Sequence, residues 1–127
     1  MTEVAPPLVV FERAGRAFAL PAASVGEVTS DRVAEPVPLA PPAVLGLVLD
    51  RGRLLTVIDL DSVLHIDLPA GAISYLVVLA PPFQHLALRV KSEVLFEKSG
   101  ERSMHPQMLD IEALVQSLEA ALASGVH

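Results

Sequence analysis

Short apolar runs broken by polar or turn-forming residues recur along the chain, and only its last stretch changes period. Leu8 to Arg13 (LVVFER) and Ala17 to Leu20 are predicted strands, turned by Ala14-Gly15-Arg16, with Pro21 ending the second. Ala22 to Gly26 is open between a helical turn and a loop, and Glu27-Val28 begins another strand. Four prolines between Asp31 and Pro42 favour an extended surface loop. The segment from Gly46 to Leu60 (GLVLDRGRLLTVIDL) carries two apolar runs, Leu45 to Leu49 and Leu54 to Ile58, around an Asp50-Arg51-Gly52-Arg53 turn. A glycine at the point of reversal between two such runs predicts a hairpin with Arg51 at its tip. Asp59 to Leu64 is predicted to be a short helical turn.

Ile73 to Leu79 is almost continuously apolar, which predicts a strand buried on both faces. Leu86 to Val90 and Val94 to Phe96 are further strands, and polar Lys98 to Pro106 is predicted to be a mobile loop. From Asp110 to Ser124 the period becomes helical, with Ile111, Leu114, Val115, Leu118, Ala121 and Leu122 on one stripe. Asp110 is placed to cap this helix, Glu112 suits its first turn, and Gly125 is the expected stop. The stripe is read as core packing, with a docking helix or a dimer contact as the alternative. The pattern predicts a mainly β protein, a small barrel architecture with a closing amphipathic helix, in one domain spanning residues 1–127. No repeat or linker interrupts it.

Composition narrows the function classes. The chain has 127 residues, 52% hydrophobic, which is too apolar for a disordered segment and enough for a substantial core. Aromatic content is only 4%, so Val, Leu, Ile and Ala must build that core. A net charge of −6 argues against direct nucleic-acid binding and against an anionic membrane surface. The absence of cysteine removes disulfides, thiol nucleophiles and thiolate metal sites, and fits a cytoplasmic location. The first residues, MTEVAPPLVV, do not read as a secretory signal, and the longest apolar stretch is too short for membrane insertion.

Candidate chemistry is sparse. His65, His85, His105 and His127 form no ligand-spaced pair, so they read as turn or surface residues and no metal is expected. Asp59 and Asp61, with Asp50 nearby, would share one face of a strand and could serve as an acid/base or metal pair. The plainer reading has Asp59 capping the turn and Asp61 solvated. No nucleophile elbow, phosphate loop or dinucleotide motif is present, so no catalytic residue and no cofactor are expected. Glu27, in SVGEV, and Arg51 are lone charges beside apolar runs. An arginine can fork onto a carboxylate, so the two could pair beside a groove or be unrelated surface charges.

The order of these pieces resembles the CheW-like domain of bacterial chemotaxis adaptors. VVFERAGRAFALPAASVGEV is similar to that family's opening strand pair and Val-x-Glu-Val element. VPLAPPAVLGLVLDRGRLLTVIDL is similar to its Pro-x-x-x-x-Gly segment and Asn-Leu-Arg-Gly hairpin ending in Asp-Leu. YLVVL with LALRV resembles its next strand pair, and MLDIEALV its closing helix. The resemblance implies two small five-stranded, SH3-like barrels sharing one core, without catalytic activity. It implies an adaptor between the cytoplasmic region of a methyl-accepting chemoreceptor and a CheA-type histidine kinase, or another CheW-like protein. Glu27 and Arg51 match the family's Glu and Arg beside the receptor groove, and Val25, Val28, Gly46 and Gly52 match groove or turn positions, so these six are the expected receptor-binding residues.

This chain also departs from the family pattern. Leu49 replaces its Asn, Asp50 its Leu, Thr56 a common Pro and Lys91 an Asp. Only Phe96 to Gln107 stands where the family has about two dozen more residues, roughly a hairpin with its connections. The second barrel is therefore expected to be incomplete, with edges that must be covered or paired by a partner. In the family that barrel carries a main kinase contact. The expectation is a shortened accessory member, similar to those of the frizzy chemosensory system of gliding bacteria, that retains receptor binding and has weakened or lost kinase binding. An ordinary coupling adaptor and a small-molecule-binding β-barrel are the alternatives.

Overall fold

The computed structural model describes residues 6–69, 73–97 and 106–125, with side chains as far as residue 120. Among these residues nine strands and two α-helices follow in chain order: β1 (Leu8–Arg13), β2 (Arg16–Pro21), β3 (Val25–Ser30), β4 (Val44–Asp50), β5 (Arg53–Asp59), α1 (Leu60–Val63), β6 (Tyr75–Leu79), β7 (Leu86–Val90), β8 (Val94–Glu97), β9 (Gln107–Met108) and α2 (Ile111–Gly125). The ambiguous stretch after β2 is one 3₁₀ turn, Ala22–Ser24. The predicted loop at Lys98 to Pro106 lies, apart from Pro106, outside the described residues.

The strands form a five-stranded sheet in the order β3-β6-β7-β5-β4 and a four-stranded sheet in the order β8-β1-β2-β9. Among the described residues the second is one strand short of the first, and its β9 is only two residues long. Its two edges, β8 and β9, are the described strands on either side of the shortened segment.

Alternation along β6 explains the arrangement. Val77 and Leu79 enter a core with Phe11, Phe18 and Leu20 of the four-stranded sheet, Leu88 of β7, and Leu114 of α2. Leu76 and Val78 point the other way, into a cluster with Val48, Leu55, Val57 and Ala87. Each such side chain contributes about 1.5–3 kcal/mol on burial, so a run apolar at every position is what a strand between two cores requires. The first core is shared by both sheets. Phe11 and Phe18, opposite one another in the β1–β2 register, stack with centroids 5.7 Å apart.

The terminal helix closes that core. Asp110 Oδ1 accepts the Ala113 N–H at 3.1 Å, the expected cap. Leu114 is buried, and Ile111, Val115 and Leu118 pack against the core, so the described part of the stripe is core packing. The helix includes Gly125, one residue past its predicted end at Ser124, a difference within the ordinary fraying of helix ends.

Gly46 shapes the edge of the larger sheet. It sits at a bulge in the β4–β5 pairing with φ +143°, and a Cβ there would lie 2.1 Å from the Glu35 carbonyl oxygen. That backbone belongs to the proline-containing loop. Glu35 N–H donates to Leu47 O at 2.8 Å and Leu47 N–H to Glu35 O at 2.9 Å, which covers part of the β4 edge. Gly46→Ala is expected to destabilise the fold by roughly 3 kcal/mol, lowering the thermal midpoint by roughly 10 °C. A midpoint unchanged in a circular-dichroism melt would show that the loop contact contributes nothing.

Candidate functional site

The β4–β5 turn holds Arg51 at φ +49° and Gly52 at φ +82°. Positive φ at both central residues of a two-residue hairpin loop matches the twist of its strands. Glycine adopts this freely, and nothing stands near where a Gly52 Cβ would be, so its φ alone calls for glycine. Arginine in the left-handed region is strained, and its bonds explain why it is held there.

Arg51 Nη2 donates to Glu27 Oε2 on β3, and Arg53 Nη2 donates to Glu27 Oε1. The glutamate is thus gripped by two arginines, one per oxygen, so Glu27 and Arg51 are paired and are not unrelated surface charges. Asp50 lies beneath, 1% exposed. It accepts from Arg32 Nη2 at 2.6 Å, Arg53 Nη2 at 3.2 Å, and Arg51 Nη2 and Nε at 3.3 and 3.4 Å. Arg32 also donates to Leu49 O at 3.2 Å. Behind it, Asp31 accepts from Arg89 Nε at 3.0 Å and Ser74 Oγ at 2.7 Å.

This cluster joins the two opposite edges of the five-stranded sheet. In a flat sheet β3 and β4 would stand four strand spacings apart, about 19 Å. Glu27 can reach Arg51 only because the sheet curls over the Val48–Leu55–Val57 cluster. The ion pairs therefore complete a barrel that backbone hydrogen bonds leave open.

The electrostatics follow from the donors. The Arg51 hydrogen bond is the main reason the Glu27 carboxyl titrates below its ordinary value, against a smaller opposing effect of burial. Burial acts to raise the Asp50 pKa, but hydrogen bonds from Arg53, Arg32 and Arg51 together outweigh it and hold the group below the ordinary range. Glu27 in turn holds the Arg51 guanidinium more firmly protonated. Three cations over two carboxylates leave the cluster with one positive charge, on a chain whose net charge is −6.

Beside the cluster, β3 and β8 face each other across a groove of about 370 Å³. Val25 and Val28 form one wall, Val94, Leu95 and Phe96 the other, with Val9 in the floor and Glu27 at the margin. Val28 and Phe96 are 42% and 62% exposed. Of the six expected site residues, Val25, Glu27 and Val28 line this groove, and Arg51 with its turn partner Gly52 is tied to its rim through Glu27. Gly46 does not join them, for it lies buried against Glu35. A larger cleft, about 510 Å³, opens elsewhere, at the start of α2 beside Phe83 and Met108, and contains none of the six.

A family model for the CheW-like domain matches residues 7–123. This chain belongs to the CheW-like domain family. Among solved structures it resembles the scaffolding protein TtCheW from Thermoanaerobacter tengcongensis, at 26% identity and a TM-score of 0.64 over 74% of this chain. The match spans 63% of that protein's length, less than two thirds of it. Curated proteins yielded no sequence match. The mainly β fold, with two sheets and a C-terminal helix, is that of the family.

Asp50, Arg32 and Arg53 were not singled out as site residues by sequence reasoning. The available signal was the Asp-Arg-Gly-Arg string, since residues flanking a two-residue turn are opposite one another and can share a charge partner. Asp61 is not solvated: it is 4% exposed and bound by Arg13. Asp59 accepts from Ser62 Oγ at 3.1 Å and lies 3.8 Å from Lys91 Nζ. The two aspartates serve separate ion pairs and do not converge as an acid/base or metal pair. Among the described residues no group of three or more His, Asp or Glu is placed to hold a metal, and no helix is long and apolar enough to cross a membrane.

Proposed function

We propose that this chain is a non-enzymatic chemosensory scaffold whose β3–β8 groove binds the cytoplasmic region of a methyl-accepting chemoreceptor. The observation that carries the reading is the apolar groove edged by the Glu27–Arg51–Arg53 cluster. Val25, Val28 and Phe96 offer an apolar strip to one stripe of a helix, and the exposed arginines offer charge to acidic residues beside that stripe. Glu27, Arg51 and Gly52 set the shape of the rim, and Gly46 acts indirectly by seating the loop that supports β4. Family membership and the likeness to a scaffolding protein support this reading.

We further read the chain as a shortened accessory member, with kinase binding weakened or lost because, among the described residues, its smaller sheet has only four strands, one of them two residues long. The test is a titration of the purified chain against a receptor cytoplasmic fragment and, separately, the kinase regulatory domain. Saturable binding to the receptor alone is the expected result. Binding to both would make the chain an ordinary coupling adaptor and overturn the accessory reading. Binding to neither would overturn the receptor proposal itself.

A further inference from the structure

The outer edge of the smaller sheet carries a second interaction surface, adjoining the groove that Leu95 and Phe96 also line. β8 bonds to β1 on one side, and among the described residues no strand pairs with its other side. An edge of this kind presents free N–H and C=O groups that another chain can pair with. Proteins commonly protect such an edge with lysine or proline. Here the four residues of β8 include Leu95 and Phe96, 59% and 62% exposed, and no cation.

The face around Leu95 is acidic. Side chains two apart on a strand share a face, so Leu95 and Glu97 line up, and Glu93, just before β8, lines the same cleft. The β1–β8 register ends with Phe11 opposite Val94, and Glu12 and Glu93 stand just beyond that last pair, on the same cleft. Like charges gathered on one cleft repel one another. These three carboxylates line that cleft, of about 250 Å³, with Val10 and Leu95, and none has a cationic partner among the described residues. Glu97 Oε1 is shielded from solvent and accepts no hydrogen bond, a state that is costly without a donor.

We propose that β8 receives an extended segment of a partner protein, added as a further antiparallel strand, with the pattern basic–x–apolar–x–basic. Main-chain hydrogen bonds to the β8 edge supply the affinity. The two basic side chains meet Glu97 and Glu12 with Glu93, and the apolar one meets Leu95. The four described strands of the sheet thereby become five, as in its neighbour. A second copy of β8 is a poorer occupant: setting Leu95 against Leu95 in an antiparallel pair opposes Glu93 to Glu97.

The experiment is a heteronuclear NMR and calorimetric titration of the whole chain with acetylated Thr-Lys-Thr-Val-Thr-Lys-Thr amide. A Glu-for-Lys peptide serves as the control. The expected result is saturable binding that weakens with salt, slows exchange of the outward β8 amides, and is at least about tenfold weaker for the control. The double variant Glu93→Gln/Glu97→Gln, checked for an unchanged unfolding midpoint, should lose at least about tenfold. Arg51→Asn should bind as the parent does, so failure here is separable from failure of the receptor-groove reading. The proposal is overturned by equal binding of both peptides or by no saturable binding. It is also overturned by shifts confined to β3, by outward β8 amides already protected in the free chain, or by self-association through β8.

Discussion

Asp61→Ala is expected to destabilise the protein by about 3–5 kcal/mol, read as a lower midpoint in urea unfolding. Arg13 forks onto Asp61 with Nε at 3.1 Å and Nη2 at 2.5 Å, and its remaining nitrogen Nη1 donates to Lys91 O at 3.2 Å. The side chains are 11% and 5% exposed, so removing the carboxylate leaves a guanidinium buried beside one backbone carbonyl. Desolvation makes such an unpaired charge far more costly than the pair itself is stabilising. The loss is a large share of the total stability of a typical domain, about 5–15 kcal/mol. The pair also joins the end of β1, in the smaller sheet, to α1 at the end of β5 in the larger one. Arg13→Met with Asp61→Leu should therefore recover most of the stability, because apolar packing can replace a buried ion pair. If the single variant unfolds within about 1 kcal/mol of the parent, the pair is solvated and the two sheets are held by the shared core alone.

The fold was legible where one local signal agreed with one structural outcome. Short apolar runs bounded by turn residues located β1, β2 and the β4–β5 hairpin, alternation located β7, and the unbroken apolar run identified β6 as the strand between two cores. Asp110 and the apolar stripe located α2. What escaped was long-range charge pairing. Asp61 follows a predicted turn and looks solvated, because nothing within a few residues reveals that Arg13, 48 positions earlier, will reach it. Asp50 departs from the resembled pattern and reads locally as a turn residue. Its burial under three arginines depends on the curl that brings β3 against the hairpin, which no local window contains. The same holds for Gly46. The resemblance marked it as a groove or turn position, yet its need for a missing Cβ comes from the backbone of Glu35, eleven residues away in sequence.

Arg51→Glu is expected to reduce affinity for a receptor cytoplasmic fragment by at least about thirtyfold, measured by calorimetric titration. The substitution sets a carboxylate against Glu27 and Asp50 at the tip of the hairpin. It removes the most exposed cation of the cluster, 66% exposed, and opposes any acidic residue on an incoming helix. Such a change could act by loosening the barrel rather than by altering the docking surface. Arg51→Asn separates the two causes. Asparagine suits the left-handed first position of this turn better than arginine does, so the hairpin should remain as stable as in the parent, or become more so. The Glu27–Arg51 bond is lost nonetheless, while Arg53 still holds the other oxygen of Glu27. A stable Arg51→Asn protein with clearly weakened receptor binding would assign Arg51 to the interface. Stable folding with parental affinity would assign it to closure of the barrel alone, and the receptor would then be recognised by the apolar walls of the groove.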